Sequence, residues 1–374
     1  MKRLIYADNA ATTQLDTEAF EAMKPYLLQE YGNASQPYSF ARQPKKAIQE
    51  ARETIASCIG ALPEEIFFTS GGTESDNWAI KGTAFRNYDH RITITSAFEH
   101  HAVLHACESI ERLGYPVAYL LPSNMGIISP ETLERYITDE TMLVSVMFAN
   151  NEIGSIQPIK DLCKVAHAHG ALFHTDAVQA VGHINIDVDD LGVDMLSASA
   201  HKFNGAKGVG FLYIRKGTSI QPYADGGAQE HGLRAGTENV AGVVSMATAL
   251  RRNVEALKAN QEHIINLENR LLAGLKESGI AYQRNGGVNT LPGIISLSFD
   301  GKDGEAILHR MDLMGICIST GSACDSKNTE ISHVLRAIRI PESLAKGTIR
   351  ISLGKNNTAE DIDIIIAALR KILR

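Results

Sequence analysis

Short runs rich in β-branched and aromatic residues alternate with helix-like segments over residues 16–214. We predict that the runs are seven strands, at residues 66–69, 92–95, 117–121, 143–148, 171–175, 194–199 and 209–214. One intervening segment has apolar residues at helical spacing and stops at Gly60, with the pattern Ala47, Ile48, Ala51, Ile55 and Ile59. The alternation predicts an α/β fold, in which a large domain has a mainly parallel seven-stranded sheet flanked by helices.

The chain beyond this region has a different pattern. Residues 238–278 contain no proline and only two glycines, which predicts one or two long helices. Strands are predicted at 293–299, 316–320 and 348–353, and Thr358 and Asp361 form a capping-box-like start to a last helix. This pattern predicts a smaller α+β domain. We expect the large domain to span residues 14–257 and the small domain to combine residues 1–13 with 258–374.

Composition and charge narrow the class of protein. The 374 residues are 44% hydrophobic, which is typical of a soluble globular chain with a sizeable core. The formal charge of -7 argues against binding to nucleic acid or to an anionic membrane. The N-terminus lacks the apolar stretch of a signal peptide, and no window approaches the ~20 apolar residues of a membrane helix. Five cysteines without a CxxC pair argue against a disulfide framework, so we expect a cytoplasmic protein.

Three features that each follow a predicted strand point to one cofactor. Gly72 and Thr73 follow the first strand in a glycine-rich turn that suits a phosphate, although a plain tight turn has the same pattern. Asp176 follows another strand, where an aspartate is commonly a helix N-cap, and Lys202 follows a third, where it could be a surface charge. Together they match the needs of pyridoxal phosphate: a lysine for a covalent bond, a carboxylate for the ring nitrogen, and a phosphate site.

Further polar residues follow the same strands. Ser199 and His201 flank the lysine and could add hydrogen bonds to the phosphate, whereas Asn151 could bond the ring hydroxyl. The imidazole of His100 could lie over the ring and transfer protons. A metal site is the competing interpretation of three neighbouring side chains, namely His101, His105 and Cys107.

One cysteine differs from the others in its surroundings. Cys324 lies in a loop of small and polar residues, where a deprotonated thiol is a good nucleophile, although an incidental free thiol has the same setting. The apolar patterns around the other four predict small buried side chains at Cys58, Cys107, Cys163 and Cys317.

These motifs, taken together, resemble those of the group I cysteine desulfurases, the nitrogenase and iron-sulfur-cluster type, in the class V aminotransferase superfamily. The resemblance runs nearly end to end, through residues 6–13, 32–33, 71–75, 99–100, 150–154, 174–179, 199–202, 234–239, 321–324 and 350–353. It implies the aspartate-aminotransferase-like fold type I and dependence on pyridoxal phosphate.

The resemblance also implies a role for each matching residue. Lys202, His100 and Cys324 would be catalytic, and Asn33 with Arg350 would bind the substrate carboxylate. The cofactor-binding residues would be Gly72, Thr73, His100, Asn151, Asp176, Gln179, Ser199, His201, Lys202 and Thr237. In this family Thr237 reaches the phosphate of the neighbouring subunit, which implies a homodimer. No resident metal is implied, although Cys324 could contact a transferred cluster.

The implied reaction converts L-cysteine to L-alanine and leaves a persulfide on Cys324, which passes to a sulfur-acceptor protein for iron-sulfur clusters or another sulfur-transfer pathway. Three alternatives stay open: a selenocysteine lyase, a transaminase or lyase with an idle Cys324, and a non-catalytic pyridoxal-phosphate protein. Two positions depart from the family pattern, with Ala206 in place of a proline and His231 in place of a basic Arg or Lys. The sequence stops at Arg374, and we expect it to lack the C-terminal extension that docks a scaffold protein in housekeeping members.

Overall fold

The computed structural model describes residues 3–87, 89, 91–320 and 331–373. The strands in chain order are β1 (Ile5–Tyr6), β2 (Ile66–Thr69), β3 (Ile92–Ser96), β4 (Val117–Leu120), β5 (Thr141–Ser145), β6 (Leu172–Asp176), β7 (Met195–Ser199), β8 (Gly210–Ile214), β9 (Gln283–Arg284), β10 (Ile294–Ser298), β11 (Ile316–Cys317) and β12 (Thr348–Ser352). Cys324 and the rest of its loop, residues 321–330, lie outside the described residues.

Helices alternate with these strands along the chain. In chain order they are α1 (Thr17–Leu28), α2 (Arg42–Ile59), α3 (Gly72–Arg86), α4 (His101–Glu111), α5 (Pro130–Glu134), α6 (Ile159–Ala168), α7 (Val188–Leu191), α8 (Val240–Glu255), α9 (Leu257–Glu277), α10 (Gly304–Asp312), α11 (His333–Ala337), α12 (Glu342–Ala345) and α13 (Ala359–Leu373). Short 3-10 turns add 39–41, 63–65, 200–202 and 229–232.

The seven predicted strands form one sheet in the order β2-β8-β7-β6-β5-β3-β4. The pairs β3–β4, β3–β5, β5–β6 and β6–β7 are parallel, whereas β8 runs antiparallel to both of its neighbours. The reversal at β8 has a simple cause, since residues 200–209 are too few for the crossover helix that a parallel return requires. The predicted α/β class with a mainly parallel seven-stranded sheet is confirmed.

Local sequence explains where several helices begin and end. α2 stops at Gly60, which adopts φ 72 in the left-handed region that glycine tolerates best. The long helical stretch after the sheet is two helices, α8 and α9, with Ala256 between them. α13 starts with a reciprocal cap, because the Thr358 N–H donates to Asp361 and the Asp361 N–H donates to Thr358 Oγ1.

The buried apolar side chains form separate clusters. The main sheet is covered on its two faces by one cluster that includes Ile55, Phe173 and Val243 and by another that includes Trp78 and Ile110. A third cluster combines β1, α9, β10, β12 and α13 around small sheets of order β12-β10-β9 and β1-β11. Val334 and Leu335 of α11 pack in the first cluster, so the predicted boundaries of the two domains stay a prediction.

Two further observations concern the sequence-based expectations. Cys107 and Cys163 are buried, whereas Cys58 and Cys317 are only half-buried. Within the described residues, none of the helices is both long enough and apolar enough to cross a membrane.

Candidate active site

A cavity of about 610 Å3 lies beyond the carboxyl ends of β2, β6 and β7. Such a position is typical of ligand sites in open α/β sheets. Among the predicted site residues, its lining includes Gly72, Thr73, His100, Asn151, Asp176, Gln179, Ser199, His201, Lys202 and Arg350.

Lys202 lies in the 3-10 turn that directly follows β7. Its Nζ donates to the backbone carbonyl of Ala10 at 2.5 Å and to that of Ala11 at 2.8 Å. Gln179 joins the same contact, since its Nε2 donates to the Ala10 carbonyl at 2.9 Å. The N-terminal segment therefore orients the amine that the sequence predicts as the cofactor's covalent partner.

Asp176 ends β6 and is almost fully buried. Its Oδ1 accepts a hydrogen bond from the Val178 N–H at 2.9 Å. Burial raises the pKa of Asp176 to about 6, although the Val178 N–H and the charge of Lys202 lower it. A cationic ring nitrogen beside this carboxyl would favour its ionised form.

Two further carboxyl groups near Asp176 carry no role in the sequence-based analysis. Burial and the charge of Asp176 raise the pKa of Asp76 well above its ordinary value. Burial raises the pKa of Glu99 to about 8, even though its Oε1 accepts from the Met147 N–H at 3.0 Å and contacts the Ser96 hydroxyl. One oxygen each of Asp76 and Glu99 has no hydrogen-bond partner within the described part of the chain. Glu99 lies inside the motif 99–100 and Asp76 directly follows the motif 71–75, and that position is the signal that could have singled them out.

The N-terminus of α3 forms one end of the cavity. Gly71 precedes the helix with φ 147, and in the residues described no side chain caps it. A Cβ added to Gly72 would lie 2.5 Å from Val178 Cγ2, and one added to Gly71 would lie 3.3 Å from Ser199 Oγ. The two glycines therefore preserve space at a helix N-terminus, where backbone N–H groups and the helix dipole favour a phosphate.

Two histidines at the cavity are neutral near pH 7. Burial, together with the charge of Lys202, lowers the pKa of His100 to about 4 and that of His201 also to about 4. His100 Nδ1 accepts from the Ala102 N–H at 3.1 Å. Because Nδ1 is an acceptor in a neutral ring, the proton of His100 is on Nε2, which makes that nitrogen a donor.

Arg350 lies on β12 and is only 4% exposed. Its Nη2 donates to Asp8 Oδ1 and its Nη1 to the Asn151 carbonyl, each at 2.8 Å. In the described part of the protein, Nε has no hydrogen-bond partner. A buried guanidinium N–H without an acceptor is costly, so this edge of Arg350 suits a ligand carboxylate. Asp8 is a residue to which the sequence analysis gave no role.

Two predicted site residues that the structure describes are not among those that line the cavity. Thr237 is exposed and Asn33 is half-buried, and neither belongs to the described lining. The segments that carry them are linked, because the Ser35 hydroxyl donates to Glu238 Oε1 at 2.7 Å. Cys324 lies outside the described residues.

The histidines of α4 do not share a site with Cys107. The rings of His101 and His105 stack with centroids 5.1 Å apart, and the His333 ring lies 4.7 Å from that of His101. Cys107 instead belongs to an apolar cluster against the sheet. Within the described residues, no group of three or more His, Cys, Asp and Glu side chains could hold a metal ion.

The side chains around the cavity fit pyridoxal phosphate. A lysine amine, a buried carboxyl with a raised pKa and a glycine-lined helix N-terminus face one space, as that cofactor requires. A family model described as aminotransferase class-V matches residues 5–365. The chain belongs to the class-V aminotransferase family. Members of this family generally depend on pyridoxal phosphate.

Several curated relatives of this class-V aminotransferase are named as cysteine desulfurases. The cysteine desulfurase IscS of Dictyoglomus turgidum is 48% identical over 100% of this chain and 95% of its own length. The cysteine desulfurase IscS of Methanosarcina thermophila is 45% identical over 100% and 92% of the two chains. The resemblance read from the motifs is confirmed, and this class-V aminotransferase is a cysteine desulfurase.

Solved structures agree with this assignment. A chain described as a NifS-like protein superposes with a TM-score of 0.94 at 38% identity and covers 99% of both chains. A second structure, described as SspA in complex with cysteine, has a TM-score of 0.85 and 37% identity over 96% of this chain and 100% of that one.

Proposed function

We propose that this cysteine desulfurase uses pyridoxal phosphate to convert L-cysteine to L-alanine and retains the sulfur as a persulfide on Cys324. The observation that carries the proposal is the single cavity that combines Lys202, Asp176, the α3 N-terminus and Arg350. Bound there, the cofactor supplies an electron sink that stabilises negative charge at the substrate Cα.

The protein's own residues bind and orient both ligands. Lys202 would hold the cofactor covalently and, once released from it, would take the substrate α-proton on Nζ and return it, while Asp176 would keep the ring nitrogen protonated. Thr73, Ser199 and His201 would bind the phosphate, for which Gly72 leaves space, and Gln179 and Asn151 would bond the ring hydroxyl. The open Nε edge of Arg350, which Asp8 and the Asn151 carbonyl orient, receives the substrate carboxylate together with Asn33.

The sulfur-transfer step is a displacement between two sulfurs. The Cys324 thiolate attacks the substrate sulfur, so an S–S bond forms and the Cβ–S bond breaks with its electron pair left on carbon. Protonation of that carbon and return of the α-proton to Cα give alanine, and Cys324 keeps the sulfur as a persulfide. His100 contributes the Nε2–H, which can stabilise sulfur anions by hydrogen bonding.

The proposal includes a homodimer in which Thr237 reaches the phosphate of the neighbouring subunit. Its support is that Thr237 is exposed and outside its own cavity. The Ser35 hydroxyl contacts Glu238, next to Thr237. Large exposed apolar side chains are concentrated around Ser35 in the sequence, at Phe20, Leu27, Leu28, Tyr31 and Phe40. We further propose a sulfur-acceptor protein as the partner that takes the persulfide, and a cytoplasmic location.

Replacing Cys324 tests the proposed reaction. We expect Cys324→Ala to keep the yellow absorbance of the lysine-bound cofactor and to bind L-cysteine, yet to release neither sulfide nor alanine. Cys317→Ala is the matched control, since Cys317 is half-buried in β11 and has no proposed role. Full turnover by Cys324→Ala would contradict the desulfurase mechanism. Rates of wild type and Cys324→Ala should also be measured with L-selenocysteine, because a lyase that needs no thiol nucleophile would turn this substrate over without Cys324.

Loss of Lys202 tests the cofactor site separately. We expect Lys202→Ala to be inactive and to incorporate no cofactor after borohydride reduction. A lysine-linked adduct in the reduced variant would show that another lysine holds the cofactor.

A further inference from the structure

The segment 229–238 contains two consecutive non-glycine residues with a strained backbone. Glu230 and His231 adopt φ 44 and φ 57, in the left-handed region that non-glycine residues seldom occupy. Such strain persists only where surrounding contacts over-determine it, and it is concentrated at functional positions.

Buried contacts hold this strained turn in place. The Glu230 carboxylate accepts from Arg52 Nη1 at 2.9 Å and from Arg52 Nη2 at 2.8 Å. It also accepts the Phe68 N–H at 2.9 Å, which ties the turn to strand β2. Both side chains of the ion pair are less than a tenth exposed. The turn is therefore fixed on the sheet that carries the cavity.

A second ion pair joins the same segment to the phosphate end of the cavity. Arg234 Nε donates to Glu74 Oε1 at 2.8 Å, and Arg234 Nη2 donates to Glu74 Oε2 at 3.3 Å. Glu74 follows Thr73 in the first turn of α3 and lines the cavity. Although burial acts against it, the hydrogen bond from Arg234 lowers the pKa of Glu74, so the pair is ionised.

The two ends of this ion pair differ in how they are otherwise held. Glu74 Oε2 also accepts the Ser70 N–H at 3.1 Å, and its position in the first turn of α3 suits a negative charge. Arg234 is half-buried and begins a stretch that becomes exposed at Gly236 and Thr237. An isolated bridge to Ala224 and the hydrogen bond from Ser35 to Glu238 tie this stretch to other parts of the described chain. Because Glu230 keeps its own contacts to Arg52 and Phe68, loss of the Arg234–Glu74 pair would release residues 233–238 more than it would disturb the α3 N-terminus.

We propose that Arg234 is a positioning residue that fixes segment 229–238 for the phosphate site of a second copy of this chain, so that its effect is exerted on the partner's cofactor. This inference rests on the homodimer of the proposed function. Its physical basis is that Arg234 contacts its own phosphate site, whereas Thr237, three residues later, is exposed and outside its own cavity.

The first measurement is the affinity for pyridoxal phosphate of a dimer that carries Arg234→Gln in both subunits. We expect Arg234→Gln to weaken binding of pyridoxal phosphate about tenfold in titrations of the lysine-bound absorbance, as loss of a charge-assisted hydrogen bond predicts. The unfolding midpoint of the apo-protein should stay unchanged. Arg270→Gln is the matched control, because Arg270 forms a two-point ion pair with Asp363 away from the cavity. Arg234→Lys, which keeps the charge but not the planar fork, should fall between the two.

Mixed dimers separate an effect on the partner from an effect within the subunit. In the first mixed dimer, one subunit carries Arg234→Gln and the other carries Lys202→Ala. Borohydride can then fix the cofactor only on Lys202 of the Arg234→Gln subunit, whose site would receive the intact segment 229–238 of its partner. In the second mixed dimer, one subunit carries both substitutions. The only Lys202 is then in the unsubstituted subunit, whose site would receive the altered segment 229–238 of its partner. We expect wild-type affinity for pyridoxal phosphate in the first and about tenfold weaker binding in the second.

The reverse pattern, with weak binding in the first mixed dimer and tight binding in the second, would show that Arg234 acts on its own site and would overturn the inference. Equal affinity in both, or no change in the homodimeric variant, would overturn it as well. Sedimentation and sulfide release by the wild-type protein test the proposed function independently. A monomer in sedimentation would reject the dimer and this inference together, whereas a dimer with the reversed pattern rejects the inference alone.

Discussion

The buried carboxyl of Glu230 and the buried carboxyls near the cavity differ in their hydrogen-bond partners. Glu230 is paired with Arg52 through two hydrogen bonds and receives a backbone N–H as well. Asp176, Asp76 and Glu99 surround the cavity end of the sheet and receive only hydroxyl and backbone donors in the hydrogen bonds that the structure defines. A paired carboxylate anchors backbone, whereas an unpaired one keeps a raised pKa until a cationic ligand arrives.

The paired group should have the larger effect on stability. We expect Glu230→Gln to lower the free energy of unfolding by about 3–5 kcal/mol, because the buried Arg52 would lose its counter-charge. Urea denaturation of the apo-protein measures the change. Asp363→Asn is the control, since the Arg270–Asp363 pair is about half exposed and should cost at most about 1 kcal/mol. Equal costs for the two variants would remove the distinction between an anchoring and a surface pair.

The unpaired group should affect catalysis without loss of stability. We expect Asp176→Asn to lower kcat/KM on the order of 10²–10³-fold, because an amide cannot stabilise a protonated ring nitrogen. The apo-protein should unfold at the same urea concentration as wild type or a higher one, since the variant removes a carboxyl whose ionisation burial opposes. A clear fall in apo-protein stability would mean that Asp176 anchors the fold as Glu230 does.

Local sequence patterns predicted much of this arrangement, because they act within one element. Strand periodicity gave the seven strands, Gly60 ended α2, and the polar residues after the strands converge on the cavity. The two-residue strands β1 and β9 are too short for any periodic signal. The Asp8–Arg350 pair joins residues 342 positions apart, and no local pattern contains such a contact.

The buried acids were missed for a related reason. Asp76 lies within a helix and Glu99 in the turn before one, positions where acidic residues are ordinarily exposed. Only the packing of α3 against the sheet shows that both carboxyls are buried near Asp176. Thr237 and Asn33 are the opposite case, since the motifs single them out but a single chain does not bring them to the cavity.

The pH dependence of stability tests whether Glu99 is held as a neutral acid. Burial raises the pKa of Glu99 to about 8 in the folded protein, against an ordinary value of 4.5. Between these values the folded state keeps a proton that the unfolded chain has released, so stability falls as pH rises from about 4.5 to 8. The contribution of this group should be on the order of 1 kcal/mol per pH unit.

Glu99→Gln isolates that contribution, because the amide keeps the size of the side chain but has no proton to release. We expect urea denaturation of the apo-protein between pH 5 and 8 to show a shallower loss of stability in the variant than in wild type. Glu360→Gln, at an exposed carboxylate that pairs with Arg3, should follow the wild-type curve. Parallel curves for Glu99→Gln and wild type would show that Glu99 ionises as an ordinary carboxyl and is not held as a neutral acid.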